Sequence, residues 1–215
     1  MDQTSLKLLL DARVVFFDFD GVIKDSLEVK ADAFEHLFQP YGSHVSKRVR
    51  RHHEANGGMS RFEKLPLYLE WAGLDRDPTT LKGFAHSFSL LTKTGVIESP
   101  WVAGMPEYLH KNVGRQVFYL FTATPENEIS KILHELKIDH FFSDIKGSPE
   151  TKVEAIANTI INHNLNVSEA IFIGDSKVDY EASTKNHIKF ILRRTKFNSY
   201  LESLIRVKVI DDFVY

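Results

Sequence analysis

Two carboxylates, Asp18 and Asp20, follow directly on an apolar run at 14–17, and two more, Asp175 and Asp179, follow another at 170–173. Like charges gathered at the ends of buried runs repel one another and lose hydration unless a cation lies among them. All the candidate ligands are oxygens and the chain has no cysteine, so a hard ion such as magnesium fits better than zinc or copper. Magnesium keeps several waters and shares its shell with phosphate, which points to a phosphorylated substrate. Thr122, at the end of a third apolar run, can donate a hydroxyl hydrogen bond to a phosphoryl oxygen. The N–H groups of Ala123 and Thr124, just before a helix expected to begin near Pro125, complete an anion site. Lys152, at the start of a helix expected over 150–165, brings a compensating positive charge to the phosphate and to Asp18.

The elements that must position these groups are legible in the hydrophobic pattern. Short, continuously apolar runs at 14–17, 117–121, 170–173, 190–192 and 207–210 suit parallel strands covered by helices on both faces. Between them lie helical periods: Ile129, Ile132, Leu133 and Leu136 form one face, and Val153, Ile156, Ile160 and Leu165 belong to another. From Thr122 onward the expected order is strand, helix, short connection, helix, strand, helix, strand. That is an α/β fold with a Rossmann-like, doubly wound parallel sheet. Open sheets of this kind bind ligands at the carboxyl ends of their strands, where the polar residues above fall.

Residues 25–94 interrupt that order with helical patterns but no convincing strand. The stretch is too long for a loop inside a compact domain, and Gly42, Gly57-Gly58 and Gly73 cut it into three or four helices. We expect an inserted α-helical domain over 25–94, with 1–24 and 95–215 forming the α/β core. A basic stretch in the insertion contains Arg50, Arg51, His52, His53, Arg61 and Lys64 around the glycine pair. One reading is a solvated helix surface with a loop; the other has the glycine turn face the crevice and lets Arg61 or Lys64 meet an anionic substrate group when the insertion closes. Phe62, Tyr68, Leu69 and Trp71 are expected to form the core of the insertion rather than to stack on a ligand.

Composition narrows the function classes. With 215 residues, 43% of them hydrophobic, the chain can bury a substantial core. Its 27 basic and 29 acidic residues leave a net charge of -2, with no electrostatic reason to expect nucleic acid or an anionic membrane as partner. The absence of cysteine excludes a disulfide scaffold and a cysteine nucleophile. The first twelve residues hold only three consecutive leucines, too few for a secretory signal or a membrane span, so a cytoplasmic location is expected. No motif sets the oligomeric state, and a monomer is slightly favoured.

Taken singly, these residues have bland explanations: Asp20-Gly21 as a turn, Asp175 and Asp179 as a helix cap, Lys152 as a surface lysine. Together, Asp18-Phe19-Asp20-Gly21-Val22-Ile23-Lys24-Asp25-Ser26, Thr122, Lys152 in GSPETK, and Gly174-Asp175-Ser176-Lys177-Val178-Asp179 resemble the four ordered motifs of the haloacid dehalogenase superfamily. The insertion stands where that family's helical cap sits. The resemblance implies that Asp18 is a nucleophile forming an aspartyl-phosphate, while Asp20 protonates the leaving oxygen and then activates water. It implies magnesium held by the Asp18 carboxylate, the Asp20 carbonyl and the Asp175 carboxylate, with Asp179 supporting the shell or steadying Lys152. Thr122, Ala123 and Lys152 would bind the phosphate. An acid two residues after the nucleophile also argues against the halide-removing members. The expected function is a magnesium-dependent phosphatase acting on a small phosphomonoester, a sugar or hydroxy-acid phosphate. A phosphosugar mutase is the nearest alternative, and a receiver-like phospho-acceptor or binding module is the alternative of another class.

Overall fold

The computed structural model describes residues 3–215. The chain opens with α1 (Gln3–Asp11) and β1 (Val14–Phe17), then runs through four consecutive helices: α2 (Leu27–Phe38), α3 (Ser43–Ala55), α4 (Arg61–Trp71) and α5 (Pro78–Glu98). Next come α6 (Met105–Asn112), β2 (Val117–Pro125), α7 (Glu126–Glu135), β3 (Phe142–Ser148) and α8 (Lys152–Asn162). The chain closes with β4 (Ala170–Gly174), α9 (Lys177–Lys185), β5 (Lys189–Arg193), α10 (Ser199–Leu204) and β6 (Lys208–Ile210).

The strands form one parallel sheet in the order β3-β2-β1-β4-β5-β6. In the central strands β1 and β4 every residue is buried, as expected where helices cover both faces. Alternate side chains point to opposite faces. Val15 and Phe17 join Tyr108 and Leu109 of α6 and Ile129 and Leu133 of α7 in one cluster. Val14 and Phe16 join Ala155 and Ile156 of α8 and Ala182 of α9 in another. From β1 the chain moves outward to β2 and β3, then returns to β4 on the other side of β1. That reversal opens a crevice beyond the carboxyl ends of β1 and β4.

Helices α2 to α5 bury a third cluster of their own, in which Phe34 stacks on Phe88 with ring centroids 3.9 Å apart. Tyr68 and Leu69 are buried there and Trp71 packs at its edge, whereas Phe62, expected inside, is 46% exposed. Among the described residues no helix is long and apolar enough to cross a membrane.

Two features differ from the sequence-based expectation. The segment 142–148, read as part of a connection between helices, is strand β3 at the edge of the sheet. Its sequence FSDIKGS places Ser143, Asp144 and Lys146 along an edge where water reaches part of the strand, so no continuous apolar run marks it. Strand β2 also continues past its apolar run to Pro125, which keeps Ala123 and Thr124 in the strand instead of at the helix entry. Pairing with β3 lapses between Phe121 and Pro125.

Candidate active site

Asp18 extends β1 into the crevice, its N–H donating to the carbonyl of Ile173 in β4 at 3.0 Å. The chain then turns tightly, with the Phe19 carbonyl accepting from the N–H groups of Val22, Ile23 and Lys24. Gly21 has φ +77°, and a Cβ there would stand 2.5 Å from Asp175 Oδ2. Only glycine meets both demands, since it tolerates positive φ and has no side chain. The turn therefore lets the Asp175 carboxylate approach the backbone that follows Asp18.

Asp18 Oδ1 is held by the N–H of Phe19 at 2.7 Å and by Lys152 Nζ at 2.9 Å, while Oδ2 has no hydrogen-bond partner among the described residues. Lys152 is the first residue of α8, whose start is fixed by a capping box between Thr151 and Glu154. Its Nζ also lies 2.5 Å from Asp179 Oδ1. A second capping box, between Ser176 and Asp179, starts α9. There Asp179 Oδ2 accepts from the N–H groups of Asp175 and Ser176 and from the Ser176 hydroxyl. Asp179 thus caps its helix with one oxygen and steadies Lys152 with the other. Burial would lower the Lys152 pKa, but Asp179 and Asp18 outweigh it and keep the ammonium charged.

The donors fit a hard cation. Oxygens of Asp18, Asp175 and Asp179 lie within 4.8 Å of one another. The Asp175 carboxylate is buried yet makes no hydrogen bond or ion pair among the described residues, which leaves it free to ligate. Burial, with Asp18 and Asp179 adding to it, pushes Asp175 well above the usual carboxylate range. Burial likewise brings Asp18 to about 7, because Asp179 and Asp20 reinforce it against the opposing charge of Lys152. A bound divalent ion reverses this repulsion and favours both ionised forms. Asp179, with both oxygens engaged, has less capacity to ligate than Asp18 and Asp175.

Asp20 is held differently. Its Oδ1 accepts from the Ser26 hydroxyl at 2.6 Å, and its Oδ2 is paired with Lys30 of α2. Lys30 also donates to Thr124 Oγ1 at 2.8 Å. Burial alone would raise the Asp20 pKa, but the charge and hydrogen bond of Lys30, helped by Ser26, hold it below the usual value. Sequence reasoning missed Lys30, since its local sequence does not distinguish it from a solvated helix lysine.

The other sequence-predicted residues divide. Ala123 and Lys64 line the same pocket as Asp18, Asp20 and Asp175. Thr122 is buried beside it, and its Oγ1 accepts the N–H of Thr124 at 3.2 Å. The Thr124 N–H is therefore not free for an anion, contrary to expectation. Arg61 does not line the pocket; its guanidinium grips Glu128 of α7 at 2.8 and 3.0 Å and donates to Ser89 of α5. On α4, a residue in the first turn faces α5 and α7, while one three positions later reaches the pocket. The glycine pair 57–58 also lines it, as the second reading of the basic stretch expects, and further lining comes from His53 and from Phe197, Asn198 and Tyr200 near the C-terminus, which no motif marked as crevice residues. Gly58 has φ +78°, and a Cβ there would collide with Ser176 Oγ, so this loop packs directly on the start of α9.

Residues 15–193 match the family described as haloacid dehalogenase-like hydrolase. Over 180 residues the chain is 26% identical to a phosphoglycolate phosphatase of Pseudomonas savastanoi pv. phaseolicola, covering 80% of this chain and 65% of that relative, slightly under two thirds of its length. It is 25% identical over 191 residues to a phosphorylated carbohydrates phosphatase of Thermotoga maritima, covering 82% of each. The crystal structure of a predicted phosphoglycolate phosphatase from Haemophilus somnus 129PT shares the fold, with a TM-score of 0.74 at 18% identity over 94% of this chain and 95% of that one. Because the family match takes in both halves of the sheet and the helices between them, the chain belongs to the haloacid dehalogenase-like hydrolase family.

Proposed function

We propose that this protein is a magnesium-dependent phosphatase that hydrolyses a small phosphomonoester, a sugar or hydroxy-acid phosphate, through an aspartyl-phosphate on Asp18. The observation that carries the reading is the state of the Asp18 carboxylate. One oxygen is anchored by Phe19 N–H and Lys152 and the other has no partner among the described residues, the condition of an oriented nucleophile. The names of the curated relatives, a phosphoglycolate phosphatase and a phosphorylated carbohydrates phosphatase, support the substrate class.

In this reading Asp18 attacks phosphorus and the bond to the leaving oxygen breaks; the arriving phosphate dianion repels the Asp20 carboxylate, so Asp20 takes up a proton as substrate binds and passes it to the leaving oxygen. Asp20, now ionised, takes a proton from water as that water attacks the phosphorus, which frees phosphate and restores Asp18. Lys152, Ala123 N–H and the Thr122 hydroxyl meet the phosphoryl oxygens; Thr122 Oγ1 accepts from the Thr124 N–H and keeps its own hydrogen to donate. Magnesium would be held by Asp18, Asp175 and the Asp20 carbonyl, with Asp179 behind them; when bound it neutralises charge on the transferring group. The four helices α2 to α5 act as a cap that closes the site against bulk water. Such closure suits a small substrate and disfavours nucleic acid or protein.

The test is phosphate release from a panel of phosphorylated metabolites, with magnesium and with chelator. Steady, magnesium-dependent release that vanishes in Asp18→Asn is the expected result. Exchange of phosphate between sugar positions without release would instead identify a mutase. No turnover on any ester, with the biological effect intact in Asp18→Asn, would replace the enzyme with a non-catalytic binding module.

A further inference from the structure

We infer that Lys64, backed by His53, binds an anionic group on the leaving-group side of the substrate, so that the pocket selects phosphomonoesters carrying a carboxylate or a second phosphate. The inference rests on the phosphatase reading and names the class of ester within it.

Lys64 is 1% exposed and lines the pocket that contains Asp18, Asp20 and Asp175. Two other buried cations and a partly buried one near the pocket each have a carboxylate: Lys152 has Asp18 and Asp179, Arg61 has Glu128, and Lys30 has Asp20; buried Lys24, which does not line the pocket, donates to the Ile97 carbonyl and lies over Trp101. Lys64 has no carboxylate. Among the described residues its one hydrogen-bond partner is His53 Nδ1, at 3.0 Å. A buried ammonium without a counter-ion costs several kcal/mol, roughly what makes unpaired buried charges rare, and an incoming anion would remove that cost.

His53 is suited to hold the ammonium without neutralising it. Burial, then the charges of Lys64 and Lys30, keep its pKa well below the usual histidine value, so the ring is neutral and accepts at Nδ1. That fixes the proton on Nε2, which has no partner among the described residues. The ring leans on Phe34 with centroids 4.9 Å apart, which restrains it. Glu54, the remaining acid in the pocket wall, is engaged by Arg50 at 2.7 Å. The cavity is small, about 80 Å³, and it places a cationic wall within a few atoms' reach of a phosphoryl group on Asp18. A short diacid fills such a space better than a long sugar chain.

The experiment compares matched esters in magnesium: 2-phosphoglycolate against 2-hydroxyethyl phosphate, and 1,3-propanediol bisphosphate against 3-hydroxypropyl phosphate. The wild type is expected to favour at least one ester carrying the additional anionic group by about tenfold or more in kcat/KM, the yield of a charged hydrogen bond. Whichever pair shows the larger ratio identifies the anion. In Lys64→Met that ratio collapses toward one, and Lys64→Gln, which keeps polarity without charge, serves if the first variant folds poorly. A ratio unchanged in a folded variant, or no preference in the wild type, overturns the inference. Calorimetric binding of phosphonoacetate against methylphosphonate reads the same preference without turnover. Turnover without preference sinks the Lys64 site alone; preference in binding that depends on Lys64, without turnover on any ester, supports the site and sinks the phosphatase reading.

Discussion

Lys30 of α2 is ion-paired with Asp20, the acid that follows β1, and its ammonium also reaches Thr124 at the end of β2. One side chain from the helical segment therefore sets the charge of a group in the sheet crevice. Removing it in Lys30→Met leaves burial to act on Asp20 with only Ser26 and the charge of Lys152 opposing, so the Asp20 pKa rises. Turnover below the raised pKa is expected to fall about tenfold or more, because breakdown of the aspartyl-phosphate needs ionised Asp20 as base, and the limb of the rate profile controlled by Asp20 moves to higher pH. Steady-state phosphate release across pH, with circular dichroism as the control for folding, checks both.

Asp175 gives the metal prediction. Its buried carboxylate has no partner among the described residues and is pushed well upward by burial and by Asp18 and Asp179. Asp175→Asn removes that repulsion, so the metal-free variant is expected to be more stable than metal-free wild type in urea. Magnesium at a hundredfold excess over its Kd should stabilise wild type by about 2.7 kcal/mol. The variant should lose most of that gain.

Arg61 and Glu128 form a buried pair between α4 and α7. Burial favours the neutral acid, but the hydrogen bonds and charge of Arg61, with Ser89, hold Glu128 below its usual pKa. Glu128→Gln strands the guanidinium and is expected to cost about 3–5 kcal/mol in chemical denaturation. Combining it with Arg61→Met should recover much of the loss. A change in ester preference without loss of stability in Arg61→Met would restore the selectivity role that the structure gives no sign of.

The Lys64 ammonium titrates near its ordinary 10.5 in the unfolded chain but at about 7 when folded, through burial and then the charge of Lys30, with Glu63, Asp20 and Asp175 opposing. His53, in contact with it, is neutral. Between those two pH values the unfolded chain holds the extra proton, so stability rises with pH, by about 1.4 kcal/mol per unit at most. Denaturation of the chelated protein from pH 7 to 10 should show that slope in the wild type and a flatter one in Lys64→Met.

The parts of the fold that were legible are those buried on both sides. Val14–Phe17 and Ala170–Gly174 read as strands because no polar residue interrupts them, whereas β3 at the sheet edge carries Asp144 and Lys146 and reads as connection. The acidic motifs were legible because strand ends place them in one crevice whatever the helices do. Lys30, His53 and the residues near Asn198 come to the site only through packing between distant segments, and no local pattern marks them. Arg61 and Lys64 sit three residues apart on one helix and meet entirely different partners; spacing alone does not rank them. For Asp179 the cap and the functional role, which looked like rivals in the sequence, are carried by two oxygens of the same carboxylate.

Covalent capture of the phosphoryl group on Asp18 is the most direct measurement. In Asp20→Asn the water that attacks the aspartyl-phosphate lacks its base, while p-nitrophenolate leaves without needing an acid, so the intermediate should accumulate. Acid quenching followed by peptide mass spectrometry is expected to find one added phosphoryl group on the peptide containing Asp18, dependent on magnesium and absent from Asp18→Asn. Release of phosphate by the wild type with no label on Asp18 in the quenched variant, or activity retained in Asp18→Asn, would contradict the assignment of Asp18 as the nucleophile.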